Sequence, residues 1–150
     1  MKVFRISIEK YSGKLTASGA SNRWNREGEY VLYTAQSRSL ATLELVVHRA
    51  SIRPNLNYKV MIIDLDVKPS QIDRLDISKL PNNWRSVAAY SQLQKIGSNW
   101  YSKKSKLVFE IPSPIIPKES NFIINTKHKL FESNAKLLTV EDYFWDTRLF

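Results

Sequence analysis

Short apolar runs of strand length recur along this chain, whereas only two stretches have the period of a helix. The strand candidates are residues 3–8, 30–35, 58–67, 107–111, 121–125 and 136–140. The helix candidates are residues 38–50 and a second segment that starts at 81–84 and ends near Gly97, a plausible C-cap. Because the strands are partly consecutive toward the C-terminus, we expect an α+β protein with a small mixed sheet and two main helices.

The composition supports one folded domain over residues 1–150. Hydrophobic residues make up 43% of the chain, which is enough apolar surface for a core without disulfides or metal. The absence of cysteine excludes a disulfide scaffold and thiol catalysis, and two histidines give little reason to expect a metal site. No segment approaches the roughly 20 apolar residues of a membrane span, so we expect a cytoplasmic protein without membrane contact.

The chain is strongly basic, with 23 Lys and Arg against 14 Asp and Glu and a net charge of +9. Such a charge attracts phosphates, nucleic acid or an acidic protein partner. The basic residues are scattered, and only Lys103, Lys104 and Lys106 form a tight group. Neither a helix-turn-helix pattern nor an aromatic RNA-binding strand is present, so a basic nucleic-acid-binding module is an alternative interpretation.

The stretch 22–48 combines polar and apolar residues in a way that core packing alone does not require. Within this stretch, a loop contains Arg23 and Trp24, the following strand candidate contains Tyr33, and the helix candidate contains Glu44. A helical wheel predicts an apolar face formed by Leu40, Leu43, Val46, Val47 and Ala50. Glu44 falls at the border of that face with His48 one turn above it. This pair is either a solvated edge pair or a partly desolvated carboxylate that contacts a substrate.

A proline-rich segment follows the fourth strand candidate. Pro112, Pro114 and Pro117 stiffen this segment, and Ser113 lies between two of them. A rigidly presented serine can bind a substrate, or it can be an edge-strand residue without a function. No Walker loop, GxGxxG or GxSxG motif accompanies it.

Several of these groups together resemble the RES domain family, which is named for its arginine, glutamate and serine. The matching stretches are FRIS at 4–7, RWNxxGxxVLYTAxSxxLATLE at 23–44, IPSxxxPxExNFIINTKH at 111–128 and FWDTRL at 144–149. They span nearly the whole chain in the family's order. One departure is Asn22, which stands where the family usually has a glycine.

The resemblance implies the toxin of a bacterial toxin–antitoxin pair, with a fold similar to that of the ADP-ribosyltransferases. Such a toxin degrades NAD by cleaving the nicotinamide–ribose bond, by hydrolysis or phosphorolysis, and NAD is its substrate with no further cofactor. The implied partner is an Xre-type helix-turn-helix antitoxin, which blocks the active site and binds operator DNA, so that contact with DNA is indirect. ADP-ribosyl transfer to a protein acceptor is the alternative enzymatic activity.

The resemblance also implies roles for particular residues. Glu44 would stabilise the ribose cation, and Arg23 would chelate the pyrophosphate. Tyr33 would stack on or wall in the nicotinamide ring, and Ser113 would hydrogen-bond the ribose or the carboxamide. His48, Asn121 and Asn125 match the family pattern too and would have supporting roles.

Overall fold

One mixed sheet forms the centre of the computed structural model, which describes residues 1–48 and 55–149. Its strands are β1 (Lys2–Ile8), β2 (Val31–Ala35), β3 (Tyr58–Leu65), β4 (Ile72–Arg74), β5 (Val108–Pro112), β6 (Ser120–Asn125) and β7 (Ala135–Asp142). The α-helices of these residues are α1 (Arg38–Val47), α2 (Tyr90–Lys103) and the short α3 (Phe131–Asn134). The predicted α+β class is confirmed. No helix in this part of the chain has both the length and the apolar character needed to cross a membrane.

The strand order is β4-β5-β6-β2-β1-β3-β7, and the neighbours are antiparallel apart from β4 and β5. Six of these strands correspond to the six predicted ones, with ends shifted by one or a few residues. The sequence analysis missed β4, a three-residue strand between two short 3₁₀ turns (Pro69–Gln71 and Ile77–Lys79). Its residues lack an apolar alternation because β4 is a short edge strand.

The sheet is weakly joined between β1 and β2. These strands share one registered pair, Phe4 with Ala35, whereas β1 pairs with β3 from Lys2 to Ile8. Next to that single pair, Nη1 of Arg5 donates a hydrogen bond of 3.3 Å to the carbonyl oxygen of Tyr33. A side chain therefore satisfies a strand carbonyl that a continuous ladder would have paired with backbone.

Apolar side chains cover both faces of the sheet, as the alternation along β6 shows. Ile124 packs in a cluster with Val3, Ile63 and Leu65, whereas the adjacent Ile123 packs on the opposite face. That second face is covered by α2, which contains Trp100, and by Trp24 and Trp84 of the preceding loops, and Phe109 of β5 packs in the same cluster. Trp84 and Trp100 are each 4% exposed, so both are core residues and neither ring is available to stack on a base.

The helix predicted to end at Gly97 has different ends in the structure. α2 begins at Tyr90, not at 81–84, and continues past Gly97 to Lys103, where Lys104 adopts a left-handed conformation with φ of 50°. Gly97 lies inside the helix because the loop backbone packs directly on it. A Cβ added at Gly97 would lie 1.8 Å from the carbonyl oxygen of Trp24. The sequence pattern cannot distinguish such a packing glycine from a C-cap.

The predicted apolar face of α1 is also wrong in part. Leu40 and Ala41 are the buried residues of this helix, whereas Val47 is 62% exposed. The small side chain of Ala41 packs with Leu40 against Phe4 and Ile6 of β1. The inward face is therefore rotated toward Ala41, which moves Glu44 from the border of the face toward its middle. Ala50, the last residue of the predicted face, lies outside the described residues.

The C-terminal aromatic segment packs on the sheet beside β3. The ring of Trp145 makes edge-to-face contacts with Tyr58 of β3 at 5.4 Å and with Tyr143 at 4.8 Å between ring centroids. Phe144, between the two docked rings, is 82% exposed. Phe150 lies outside the described residues.

The contact at Gly97 yields a stability prediction. We expect Gly97→Ala to lower the free energy of unfolding by about 2 kcal/mol or more, because the added methyl group must displace the backbone at Trp24. At an exposed helical position the same change would instead stabilise by about 1 kcal/mol. The measurement is urea unfolding monitored by circular dichroism. Gly13→Ala is the matched control, since nothing lies within 4 Å of a Cβ there, and equal midpoints for both variants would contradict the prediction.

Candidate active site

A cavity of about 370 Å³ lies where β1 and β2 meet at their single pair. Its volume is in the range of small-molecule sites, roughly 300–1,000 Å³. It is lined by residues of β1, β2, α1 and β6 together with Asn22: Phe4, Arg5, Ile6, Asn22, Tyr33, Thr34, Ala35, Ala41, Glu44, Leu45, His48 and Asn121. Four of the residues to which the sequence analysis gave a role, Tyr33, Glu44, His48 and Asn121, are thus brought together in one cavity.

The Glu44 carboxylate is held by neutral hydrogen-bond donors. Its Oε1 atom accepts from Nδ2 of Asn121 at 2.5 Å and from the Ser113 hydroxyl at 3.4 Å. Within the described residues, Glu44 has no ion-pair partner and its Oε2 atom has no hydrogen-bond donor. None of the described residues therefore neutralises this carboxylate in an ion pair, and none of them occupies Oε2, which a ligand in the cavity can use as an acceptor.

Ser113 is 1% exposed and its hydroxyl is fully engaged by the protein. The oxygen accepts hydrogen bonds from the backbone N–H groups of Ile115 and Ile116, both at 3.1 Å, and donates its proton to Glu44. A hydroxyl has one donor and two acceptor positions, so none is left for a substrate. In this structure Ser113 joins the proline-rich turn to Glu44, and it does not line the cavity.

Of the two asparagines on β6, only Asn121 reaches the cavity. Asn125, a predicted substrate-binding residue, is 0% exposed and lies at the other end of the strand. Its Nδ2 atom donates to the carbonyl of Tyr101, and its Oδ1 atom accepts from the backbone N–H of Lys127. Asn125 is therefore placed to tie the end of β6 to α2 and to the following turn.

His48 forms the end of α1 and lines the cavity. Its Nδ1 atom lies 2.7 Å from the backbone carbonyl oxygen of Glu44. Because a carbonyl oxygen can only accept, Nδ1 must carry the proton, which leaves Nε2 as the acceptor in the neutral ring. The predicted proximity of His48 and Glu44 is present, but the contact is with the backbone of Glu44 and not with its carboxylate.

Tyr33 connects the sheet to the loop that precedes β2. Its hydroxyl donates to Oδ1 of Asn25 at 2.7 Å and accepts from the backbone N–H of Trp24 at 3.1 Å. Burial raises the pKa of the Tyr33 phenol above its ordinary value. The ring lines the cavity while the hydroxyl fixes the loop, so one side chain provides both a wall and an anchor.

Arg23 lies in the fixed loop but does not line the cavity. Its Nη1 atom donates to the carbonyls of Trp84 and Arg85 at 3.0 and 3.1 Å. Its guanidinium carbon lies 4.7 Å from the centroid of the Tyr90 ring. Nε and Nη2 have no hydrogen-bond acceptor among the described residues, and these atoms could bind an anion near the adjacent Asn22, which does line the cavity.

Arg5 is the cationic residue of the cavity that the sequence analysis missed as a site residue. The structure places it in the cavity wall with one nitrogen bound to the Tyr33 carbonyl. Burial lowers the pKa of the Arg5 guanidinium, which nevertheless stays charged at any physiological pH. The arginine in the matched stretch FRIS was the available signal, but only the opening between β1 and β2 gives it access to a ligand.

Asn22 replaces a glycine of the family pattern without backbone strain. The residues with positive φ in the described chain are Gly19, Gly28, Lys104 and Lys118, so Asn22 does not need a glycine conformation. Its side chain accepts a hydrogen bond from the backbone N–H of Arg23 at 2.8 Å.

Across the described residues, no group of three His, Asp or Glu side chains is arranged to hold a metal ion.

The fold and the cavity define an α+β protein with a candidate small-molecule site around Glu44, which has no ion-pair partner among the described residues. The sequence matches the RES domain over residues 2–146, and the chain belongs to that family. It is 31% identical to a protein named Toxin Res from Yersinia enterocolitica, with 99% of both chains covered. It is also 31% identical to a Toxin Res from Photorhabdus laumondii, covering 99% of this chain and 97% of the relative. A Prs ADP-ribosylating toxin from Sphingobium is 30% identical over 90% of this chain and 86% of its own length.

The anchoring role of Tyr33 can be tested by removing its hydroxyl. We expect Tyr33→Phe to lower the free energy of unfolding by about 1–3 kcal/mol, because Asn25, 2% exposed, loses its donor. The raised pKa of the Tyr33 phenol predicts a second effect, which appears in the pH dependence of stability. Above about pH 10 the unfolded chain loses the phenol proton while the folded protein still keeps it. The contribution of the Tyr33 hydroxyl to stability is therefore complete below about pH 10 and is lost as the pH rises further.

The measurement is urea unfolding at neutral pH and in alkaline buffers. Tyr33→Phe should lose stability less steeply than the original protein above about pH 10. Tyr11→Phe is the control because Tyr11 is 57% exposed. If both phenylalanine variants unfolded like the original protein at neutral pH, the hydroxyl would not anchor the loop.

Proposed function

We propose that this chain is the toxin of a toxin–antitoxin pair and cleaves the nicotinamide–ribose bond of NAD, by hydrolysis or phosphorolysis. The observation that carries the proposal is the Glu44 carboxylate, which lines the cavity with one oxygen held by Asn121 and Ser113 and the other without a hydrogen-bond donor among the described residues. Membership of the RES domain family and the toxin names of its relatives support the toxin part of this proposal.

The chemistry requires little more than a positioned carboxylate. Nicotinamide is a good leaving group because its ring nitrogen is cationic in NAD, so acid catalysis is not needed. Bond cleavage develops positive charge on the ribose ring, as in glycoside hydrolysis. A preorganised carboxylate without a counter-ion stabilises that charge more strongly than one neutralised by a salt bridge. Water or phosphate then attacks the anomeric carbon and completes the reaction.

The cavity is suited to the nicotinamide riboside half of NAD. At about 370 Å³ it lies at the lower end of ligand sites, so the rest of the dinucleotide would extend beyond it. Phe4 and Tyr33 provide aromatic walls for the nicotinamide ring. Arg5 in the cavity wall would bind the phosphate attached to the nicotinamide ribose. Arg23, beyond Asn22, would bind the second phosphate, which is attached to the adenosine.

The cellular setting follows from the same assignment. The partner would be an Xre-type helix-turn-helix antitoxin that covers the cavity and binds operator DNA, and the toxin would act in the cytoplasm where NAD is available. The net charge of +9 would favour an acidic surface on that antitoxin.

A second candidate activity is ADP-ribosyl transfer to a protein acceptor. The relative from Sphingobium is named as an ADP-ribosylating toxin, and it matches 90% of this chain. Transfer and hydrolysis share the cleavage step and differ only in the nucleophile that attacks the ribose. The uncompensated carboxylate of Glu44 serves both reactions.

The primary test is nicotinamide release from NAD by the purified protein. We expect release in water or phosphate buffer, and we expect Glu44→Ala to reduce it by a factor of about 10³ or more because the charge that stabilises the cation is lost. Chromatography of the products gives ADP-ribose for hydrolysis and ADP-ribose 1″-phosphate for phosphorolysis. Glu132→Ala is the matched control, since Glu132 is an exposed carboxylate of α3.

Two outcomes would redirect the proposal. Labelled ADP-ribose that becomes covalently attached to a protein would favour transfer over hydrolysis. No consumption of NAD or NADP, together with salt-dependent nucleic-acid binding that requires Lys103, Lys104 and Lys106, would favour the basic binding module. Thermal unfolding of each variant separates a lost activity from a lost fold.

The two arginines can be distinguished with shortened substrates. We expect Arg23→Gln to lower kcat/KM for NAD by about ten- to hundredfold without affecting nicotinamide mononucleotide, which lacks the farther phosphate. Arg5→Gln should impair NAD and nicotinamide mononucleotide alike, but nicotinamide riboside much less, because the riboside has no phosphate. Arg26→Gln is the control, as Arg26 is an exposed arginine of the same loop outside the cavity. Equal defects of either variant on all three substrates would exclude a phosphate-binding role for that arginine.

A further inference from the structure

The amide of Asn121 has one half that the protein uses and one half that it does not. Asn121 is 8% exposed, and its Nδ2 atom donates to Glu44 at 2.5 Å. Its Oδ1 atom is buried and has no hydrogen-bond donor among the described residues. A buried amide oxygen without a donor destabilises the folded state, so its presence next to the carboxylate requires an explanation.

The orientation of this amide is determined by Glu44. Turning the amide over would place Oδ1 at the position of Nδ2, 2.5 Å from a carboxylate oxygen, and two acceptors at that distance repel each other. The Ser113 proton cannot satisfy Oδ1 because it is donated to Glu44. Nδ2 therefore stays on the carboxylate, and Oδ1 of this cavity-lining residue remains a buried acceptor without a donor among the described residues.

We propose that Oδ1 of Asn121 accepts a hydrogen bond from a hydroxyl of the ribose attached to nicotinamide, and that Asn121 thereby makes the enzyme specific for ribose over deoxyribose. This inference rests on the proposed function. Glu44 offers Oε2 as one acceptor and Asn121 offers Oδ1 as a second, and the two side chains are joined by a hydrogen bond. A ribose carries two neighbouring hydroxyl groups, so it can donate one proton to each of these acceptors.

The ribose is a better match for this acceptor than the carboxamide of nicotinamide. Stabilisation of the ribose cation requires Glu44 to lie beside the ribose, and the hydrogen bond to Glu44 holds Asn121 at the same part of the substrate. A site that hydrogen-bonds a hydroxyl discriminates strongly against an analogue without it, because its own polar atom is then left unpaired.

The experiment compares NAD with two analogues that lack the 2′-hydroxyl or the 3′-hydroxyl of the nicotinamide ribose. Nicotinamide release gives kcat/KM for each substrate with the original protein and with Asn121→Ala. The preference is the ratio of kcat/KM for NAD to kcat/KM for an analogue. For one of the two analogues, we expect this ratio to be about ten- to hundredfold larger in the original protein than in Asn121→Ala. Intrinsic differences in the reactivity of the substrates cancel in this ratio of ratios.

Ser113→Ala is the matched control, since it removes the other donor to the same Glu44 oxygen but does not touch Oδ1. It should lower kcat/KM for every substrate and retain the preference for ribose. Should Asn121→Ala fail to fold, Asn121→Ser, whose shorter side chain does not reach as far, is measured in the same way.

The outcomes separate this inference from the proposed function. If the original protein releases no nicotinamide from NAD, the proposed function fails and the inference fails with it. If NAD is cleaved but Asn121→Ala retains the full preference against both deoxyribose analogues, only the inference is overturned. A third outcome is that Asn121→Ala retains the ribose preference and loses a preference for NAD over nicotinic acid adenine dinucleotide. That result would assign Oδ1 to the carboxamide of nicotinamide, and it would also overturn the inference.

Discussion

The hydrogen bonds to one oxygen of Glu44 are the constraint on which the rest of the site depends. A half-buried carboxylate without a counter-ion is costly unless neutral donors replace the water that it has lost. Asn121 and Ser113 are those donors, and they come from β6 and from the proline-rich turn. Because they stabilise the negative charge without cancelling it, the second oxygen keeps its full electrostatic effect in the cavity.

This arrangement requires three separate parts of the chain to meet. α1 approaches the sheet through the small side chain of Ala41, which turns Glu44 inward. The proline-rich turn is held by the Ser113 hydroxyl, which binds two backbone N–H groups. The weak junction between β1 and β2 leaves the space that a ligand needs. A continuous ladder at that junction would improve the sheet and would close the cavity.

The loop that carries Arg23 is fixed independently of the cavity. The Tyr33 hydroxyl binds Asn25 and the backbone of Trp24, while Gly97 allows the same backbone to pack against α2. These contacts determine where Arg23 lies relative to the cavity. The loop is therefore rigid for a structural reason, and a rigid loop loses little entropy when it binds a phosphate.

The sequence by itself determined the α+β class, six of the strands, and the presence of Tyr33, Glu44 and His48 in one site, because alternation, helical period and family motifs are local or linear patterns. Tertiary structure alone decided the rest. It placed Arg5 in the cavity, gave Asn121 and not Asn125 the contact with Glu44, and turned Gly97 from a predicted helix end into a packing position. Each of these outcomes depends on which residue of an element faces which neighbour, and residues distant in sequence set that orientation.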